Sequence, residues 1–137
     1  MSSAVRRHGD ELRVRTPPRV VVVTGASGGV GRATARAFAQ RGDRVALLAR
    51  GDAGLDGARR DVEARGGVPL TIPVDVADAR RVEAAADRVE RELGPIDVWI
   101  NNAMTTVFAP VHRITPEEFH RATEVTYLGA VWGTMAA

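Results

Sequence analysis

Apolar and polar residues alternate along this chain in blocks rather than singly. Val20-Val21-Val22-Val23 is a β-branched run with no polar interruption, the pattern of a parallel strand buried on both faces. Glycines follow, and from Val30 to Arg41 apolar positions recur at helical spacing, with Val30, Thr34, Ala37 and Phe38 on one predicted face. Gly42-Asp43 closes that helix. Arg44 to Ala49 reads as a second buried strand. Leu55, Ala58 and Val62 mark a second helix, closed by Gly66-Gly67, and Val68 to Val74 is a third strand interrupted by Pro69 and Pro73. Asp78 is a candidate N-cap for a long helix with the stripe Val82, Ala85, Ala86, Val89 and Leu93, which Gly94-Pro95 ends. Ile96 to Ile100 is a fourth strand and 103–114 a loop. Thr115-Pro116-Glu117-Glu118 is a capping box opening a last helix that runs to the chain end. Residues 1–18 are polar, arginine-rich and end in Pro17-Pro18, which reads as a flexible tail.

Strand and helix therefore alternate four times. This spacing requires right-handed crossovers and a parallel sheet covered by helices. The expectation is one α/β domain over 19–137, a doubly wound parallel sheet, and 137 residues are enough for one core.

Composition narrows the chemistry. Net charge is only +2, and beyond the N-terminal arginines the basic residues are spread out, so no nucleic-acid-binding stripe is expected. There is no cysteine, which excludes disulfides, thiolate nucleophiles and thiolate metal sites. No apolar run approaches the roughly 20 residues of a membrane span, and the N-terminus has no apolar signal core. The expectation is a cytoplasmic protein without membrane contact. His8, His112 and His120 share no metal-like spacing with carboxylates, so no metal site is expected. His112 is either a solvated loop residue or part of a substrate mouth.

Thr24-Gly25-Ala26-Ser27-Gly28-Gly29-Val30-Gly31 lies between a buried strand and a helix start. There glycines let the backbone approach a pyrophosphate, and the free N–H groups of the helix end bind its charge. Gly25, Ser27, Gly28, Gly29, Val30 and Gly31 are the candidate binding residues. The spacing Gly25, Gly29, Gly31 has a longer first gap than G-x-G-x-x-G. The end of the second strand distinguishes the dinucleotides. A carboxylate there would bond a ribose 2′-hydroxyl and favour NAD. Instead Arg50 stands nineteen positions past Gly31, preceded by Ala49. An arginine fork pairs with a 2′-phosphate, so NADP(H) is expected over NAD(H). The alternative is a solvated strand-end arginine, and nearby Asp52 would weaken the preference.

Four segments together resemble the short-chain dehydrogenase/reductase family, with its Rossmann-type fold. Thr24-Gly25-x-x-x-Gly29-x-Gly31 is similar to its cofactor loop and Asp75-Val76 to its adenine-contacting pair. Asn101-Asn102-Ala103 is similar to its Asn-Asn-Ala-Gly segment, and Glu124 to Ala130 to the helix after its fourth strand. The resemblance covers residues 19–137. It implies hydride transfer between NADP(H) and a carbonyl or alcohol substrate, and adds Asp75, Val76, Asn102, Ala103 and Met104 to the cofactor contacts. A turn aspartate at 75 and a structural asparagine pair are the alternatives. Met104 stands where the family usually has glycine, and Thr126 where it has an asparagine implicated in ordering a relay water.

The resemblance also implies a serine and a Tyr-x-x-x-Lys pair. All 19 basic residues are arginine, and the single tyrosine, Tyr127, is followed four residues later by Val131. No catalytic residue is therefore assigned. The chain is expected to be the N-terminal cofactor-binding half of a longer enzyme, truncated after about four strands and inactive alone. A non-catalytic nucleotide-binding module or a non-functional remnant are the other readings. The fourth strand is then expected to be an edge. Ala122, Thr126, Ala130 and Gly133, at near fourfold spacing, make the last helix a candidate homo-oligomer surface, with Trp132 serving either that surface or the core.

Overall fold

The computed structural model describes residues 17–137. The tail assigned to 1–18 lies, up to residue 16, outside the described residues. The strands are β1 (Val20–Thr24), β2 (Arg44–Ala49), β3 (Val68–Pro73) and β4 (Val98–Ile100), and they form one sheet in the order β3-β2-β1-β4. All three pairings are parallel, with Val21 beside Val45 and Val98. This is the 3-2-1-4 strand order of a Rossmann-type sheet.

The helices cover both faces. α1 (Gly29–Ala39) and α2 (Asp52–Glu63) pack on Val21, Val23, Val45 and Leu47. α3 (Ala79–Leu93) covers Val20, Val22, Ala46 and Leu48. Neighbouring residues of one strand thus enter different cores, which is why the strands carry no polar alternation. Beyond β4 come a short 3₁₀ turn (Val111–Arg113), α4 (Pro116–Thr123), a π-helical turn (Glu124–Leu128) and α5 (Gly129–Ala136). Among the described residues no helix is long and apolar enough to cross a membrane.

Local signals hold at the helix ends. Asp78 accepts from the Arg81 N–H, and Thr115 and Glu118 form both halves of the capping box. Gly94 ends α3 at φ 109°, in the left-handed region. Pro69 and Pro73 are tolerated because β3 is an outer strand.

Three expectations need correction. In α1 the buried face is Gly31, Ala35 and Ala39, not the Val30 face; Val30 is exposed. The helix lies so close to the sheet that small residues face inward, and the larger side chain is left at the cleft rim. β4 begins at Val98 rather than Ile96, because the Asp97 carboxylate bonds the Val20 N–H at the strand entry. In the last helix Val125, Gly129 and Gly133 turn inward, so the stripe of small residues read from the sequence is split between two faces. Half-buried Trp132 packs against the core beside α3.

Candidate functional site: a cleft at the carboxyl ends of β1 and β4

The chain leaves β1 to build β2 and β3 on one side, then returns to place β4 on the other. Loops leaving β1 and β4 therefore diverge and open a crevice at the carboxyl edge, where open α/β sheets bind ligands. A cleft of about 380 Å³ lies there. Gly25, Ser27, Gly28, Gly29 and Val30 line it from the β1 loop, Arg50 from β2, Asp75 and Val76 from β3, and Asn102, Ala103 and Met104 from β4. Leu48, Ala49, Val74 and Val125 complete the wall.

Gly31 does not line the cleft. A Cβ there would collide with the Gly25 carbonyl and the Asn102 side chain. Its absence lets α1 seat directly against the loop, so Gly31 shapes the cleft from behind. Gly25 has φ 68°, and a Cβ on it would come within 2.9 Å of the Ala103 Cα. Only glycine allows the two loops this separation.

Thr24 fastens these loops. Its side chain is buried, accepts from the Asn102 and Ala103 N–H groups (both 3.0 Å) and donates to the Ile100 carbonyl (3.3 Å). Asn102 Nδ2 returns hydrogen bonds to the Thr24 and Gly25 carbonyls (3.0 and 3.3 Å). Asn102 thus ties loops together, with its amide turned toward protein. Asn101 accepts from the Trp99 indole and donates to Thr134.

The electrostatics favour an anion. α1 starts on Gly28, which offers no capping side chain, and its first turn holds no acid. Its N–H groups and the positive end of its dipole face the cleft. Arg50 is exposed at the mouth. Asp75 is the carboxylate on the wall: Oδ1 accepts from the Ala77 N–H (3.1 Å) and Oδ2 from Arg121 of α4 (2.6 Å). Burial raises its pKa, but the Ala77 and Arg121 hydrogen bonds and the charges of Arg121 and Arg50 outweigh this and hold it below 3.8. An open cleft with a glycine cradle and an uncapped helix end fits the diphosphate of a dinucleotide.

The sequence profile of the short chain dehydrogenase family matches residues 19–137. The chain belongs to the short chain dehydrogenase family. A 3beta-hydroxysteroid dehydrogenase of Eggerthella lenta is 36% identical over 131 residues, covering 93% of this chain and 48% of that relative. L-Sorbose reductase from Gluconobacter frateurii, solved with NADPH and L-sorbose, aligns at TM-score 0.80 and 32% identity, over 87% of this chain and 46% of that one. An NAD+-bound xylitol dehydrogenase aligns at TM-score 0.82 and 34% identity, over 86% and 46%. The chain thus spans about half the length of these short chain dehydrogenase relatives, and they include users of both nicotinamide dinucleotides.

Two departures from the family pattern have visible consequences. Met104 projects from the cleft wall and is 67% exposed. Thr126 sits in the π-helical turn and clasps Thr105, accepting from its N–H (3.1 Å) and donating to its carbonyl (2.9 Å). Threonine there fastens the loop after β4 to the helix. The sequence places Thr24 in the glycine loop without its fastening role, and it leaves Arg121 unmarked. Thr24 had a signal, its place at the head of the glycine loop. Arg121 had none, since its partner lies 46 positions away.

Proposed function

We propose that this chain is the cofactor-binding part of an NADP(H)-preferring oxidoreductase that moves hydride between nicotinamide and a carbonyl or alcohol, in the cytoplasm. The observation that carries the cofactor preference is Arg50. It is the charged group at the β2 end of the cleft, where NAD-selective folds of this kind place a carboxylate. When bound, the dinucleotide supplies the hydride chemistry. This chain's residues bind and orient it. The α1 N-terminus and the Gly25–Val30 loop hold the diphosphate, Arg50 the 2′-phosphate, Asp75 and Val76 the adenine, and Ala103 and Met104 the nicotinamide ribose. Calorimetric titration tests this. Arg50→Ala is expected to weaken NADPH about tenfold or more, as for a lost charge-assisted contact, and NADH hardly at all. Equal loss for both removes the preference.

A second reading rests on the side chains present. Within these 137 residues there is no lysine, and Tyr127 lacks one four positions on. The chain alone is therefore expected to bind nucleotide without turning it over. NADPH-linked carbonyl reduction by the pure chain would refute this. The exposed apolar residues Phe108 and Val111 before α4 and Phe119 on it support association of this region with a further copy.

A further inference from the structure

One close interaction at the cleft has no part in holding phosphate. Arg121 Nη2 lies 2.6 Å from Asp75 Oδ2 and reaches there from α4, a helix that otherwise stands outside the cleft. The side chains are 37% and 32% exposed. A pair this accessible adds little to stability, yet it is placed where a ligand still reaches the carboxylate. The Ala77 N–H holds the other oxygen at 3.1 Å. Two donors on opposite oxygens fix the plane of the carboxylate, and each oxygen keeps a further acceptor position.

We propose that Arg121 is a positioning residue for base recognition: it orients Asp75 so that the carboxylate accepts the exocyclic amino group of adenine and rejects a base bearing an oxygen there. The inference rests on the dinucleotide reading above. Arg121 has a second effect at the same place, because its charge offsets that of Asp75 beside a ligand that carries phosphates. Without it, only the Ala77 N–H holds the carboxylate, whose plane is then free to turn away from the base.

The test compares NADPH with reduced nicotinamide hypoxanthine dinucleotide phosphate, in which an oxygen replaces the amino group. Dissociation constants are measured for the wild-type chain, Arg121→Ala and Arg121→Lys, with thermal melts alongside. The wild type is expected to favour the adenine form about tenfold or more, the scale of a hydrogen bond to a charged group. Arg121→Ala is expected to reduce that ratio to about threefold or less with a retained cooperative melt, and Arg121→Lys to restore part of it. If alanine prevents folding, Arg121→Gln carries the same comparison. An unchanged ratio in the variants, or equal binding of both nucleotides by the wild type, overturns the inference while the dinucleotide reading stands. Failure of the folded wild type to bind either nucleotide overturns both.

Discussion

Thr24 shows how much of the cleft depends on single polar atoms. Its hydroxyl fills its full hydrogen-bonding capacity, two N–H groups in and one carbonyl out. Thr24→Val keeps the shape but leaves two part-buried N–H groups without an acceptor. The expected cost is about 2–3 kcal/mol in urea unfolding, with Thr24→Ser retaining most of the stability. A valine variant as stable as the wild type would show that the loops are held by other contacts. Arg50 lies at the opposite extreme, exposed and acting on the protein only through its charge on Asp75. Its substitution is expected to leave the melt unchanged while altering nucleotide preference.

At the scale of elements, the local rules and the packing rules can be separated. Caps obey local rules: Asp78→Ala removes the acceptor for the Arg81 N–H and is expected to cost about 1 kcal/mol. The facing of α1 obeys packing. Gly31→Ala drives a methyl into the Gly25 carbonyl and Asn102. It is expected to destabilise by about 1–3 kcal/mol and to abolish saturable NADPH binding, because the loop must shift. Binding at wild-type affinity would place the loop's flexibility above its packing. The π-helical turn follows neither simple pattern. It has no mark in the apolar spacing of 115–137, and its position between the Thr105 clasp and buried Val125 is a tertiary fit of the kind such turns often make near sites.

At the scale of the molecule, distant charges tie helices and loops together. Asp61 of α2 receives Arg32 of α1 at 2.8 Å, with Arg36 at 3.5 Å. The Arg32 hydrogen bond holds its pKa down against burial, with the charges of Arg32, Arg36 and Arg65 assisting. Asp75 is lowered as well. Carboxyls with folded pKa values below their ordinary 3.8 stabilise the fold when ionised. That stabilisation is present above pH 3.8 and is lost as pH falls through the lowered values. Urea midpoints are therefore expected to drop on acidification below about pH 4, and less steeply in Arg121→Ala, where Asp75 no longer contributes through that pair. A variant as acid-sensitive as the wild type would remove the Arg121 pair from this account and leave the Ala77 hydrogen bond as what holds Asp75 low. Among the described residues β3 and β4 are the outer strands of the sheet, with β1 and β2 between them.

Much of this was legible in the linear order of residues. The unbroken Val20–Val23 run, the helical stripe of Val82 to Leu93 and the glycines between Thr24 and Gly31 express periods and conformations that act within a few residues. Four strands in alternation, their parallel sense and a helix that starts directly on a glycine loop follow from those alone. The sequence could not say which way α1 faces or that its small residues, rather than Val30, meet the sheet. Nor could it pair Asn102 with Thr24, 78 positions away, or Arg121 with Asp75. Such contacts depend on the order of strands in the sheet and the distance at which helices settle on it. Only the assembled fold decided these, because close packing selects among faces and partners that local propensity leaves equivalent.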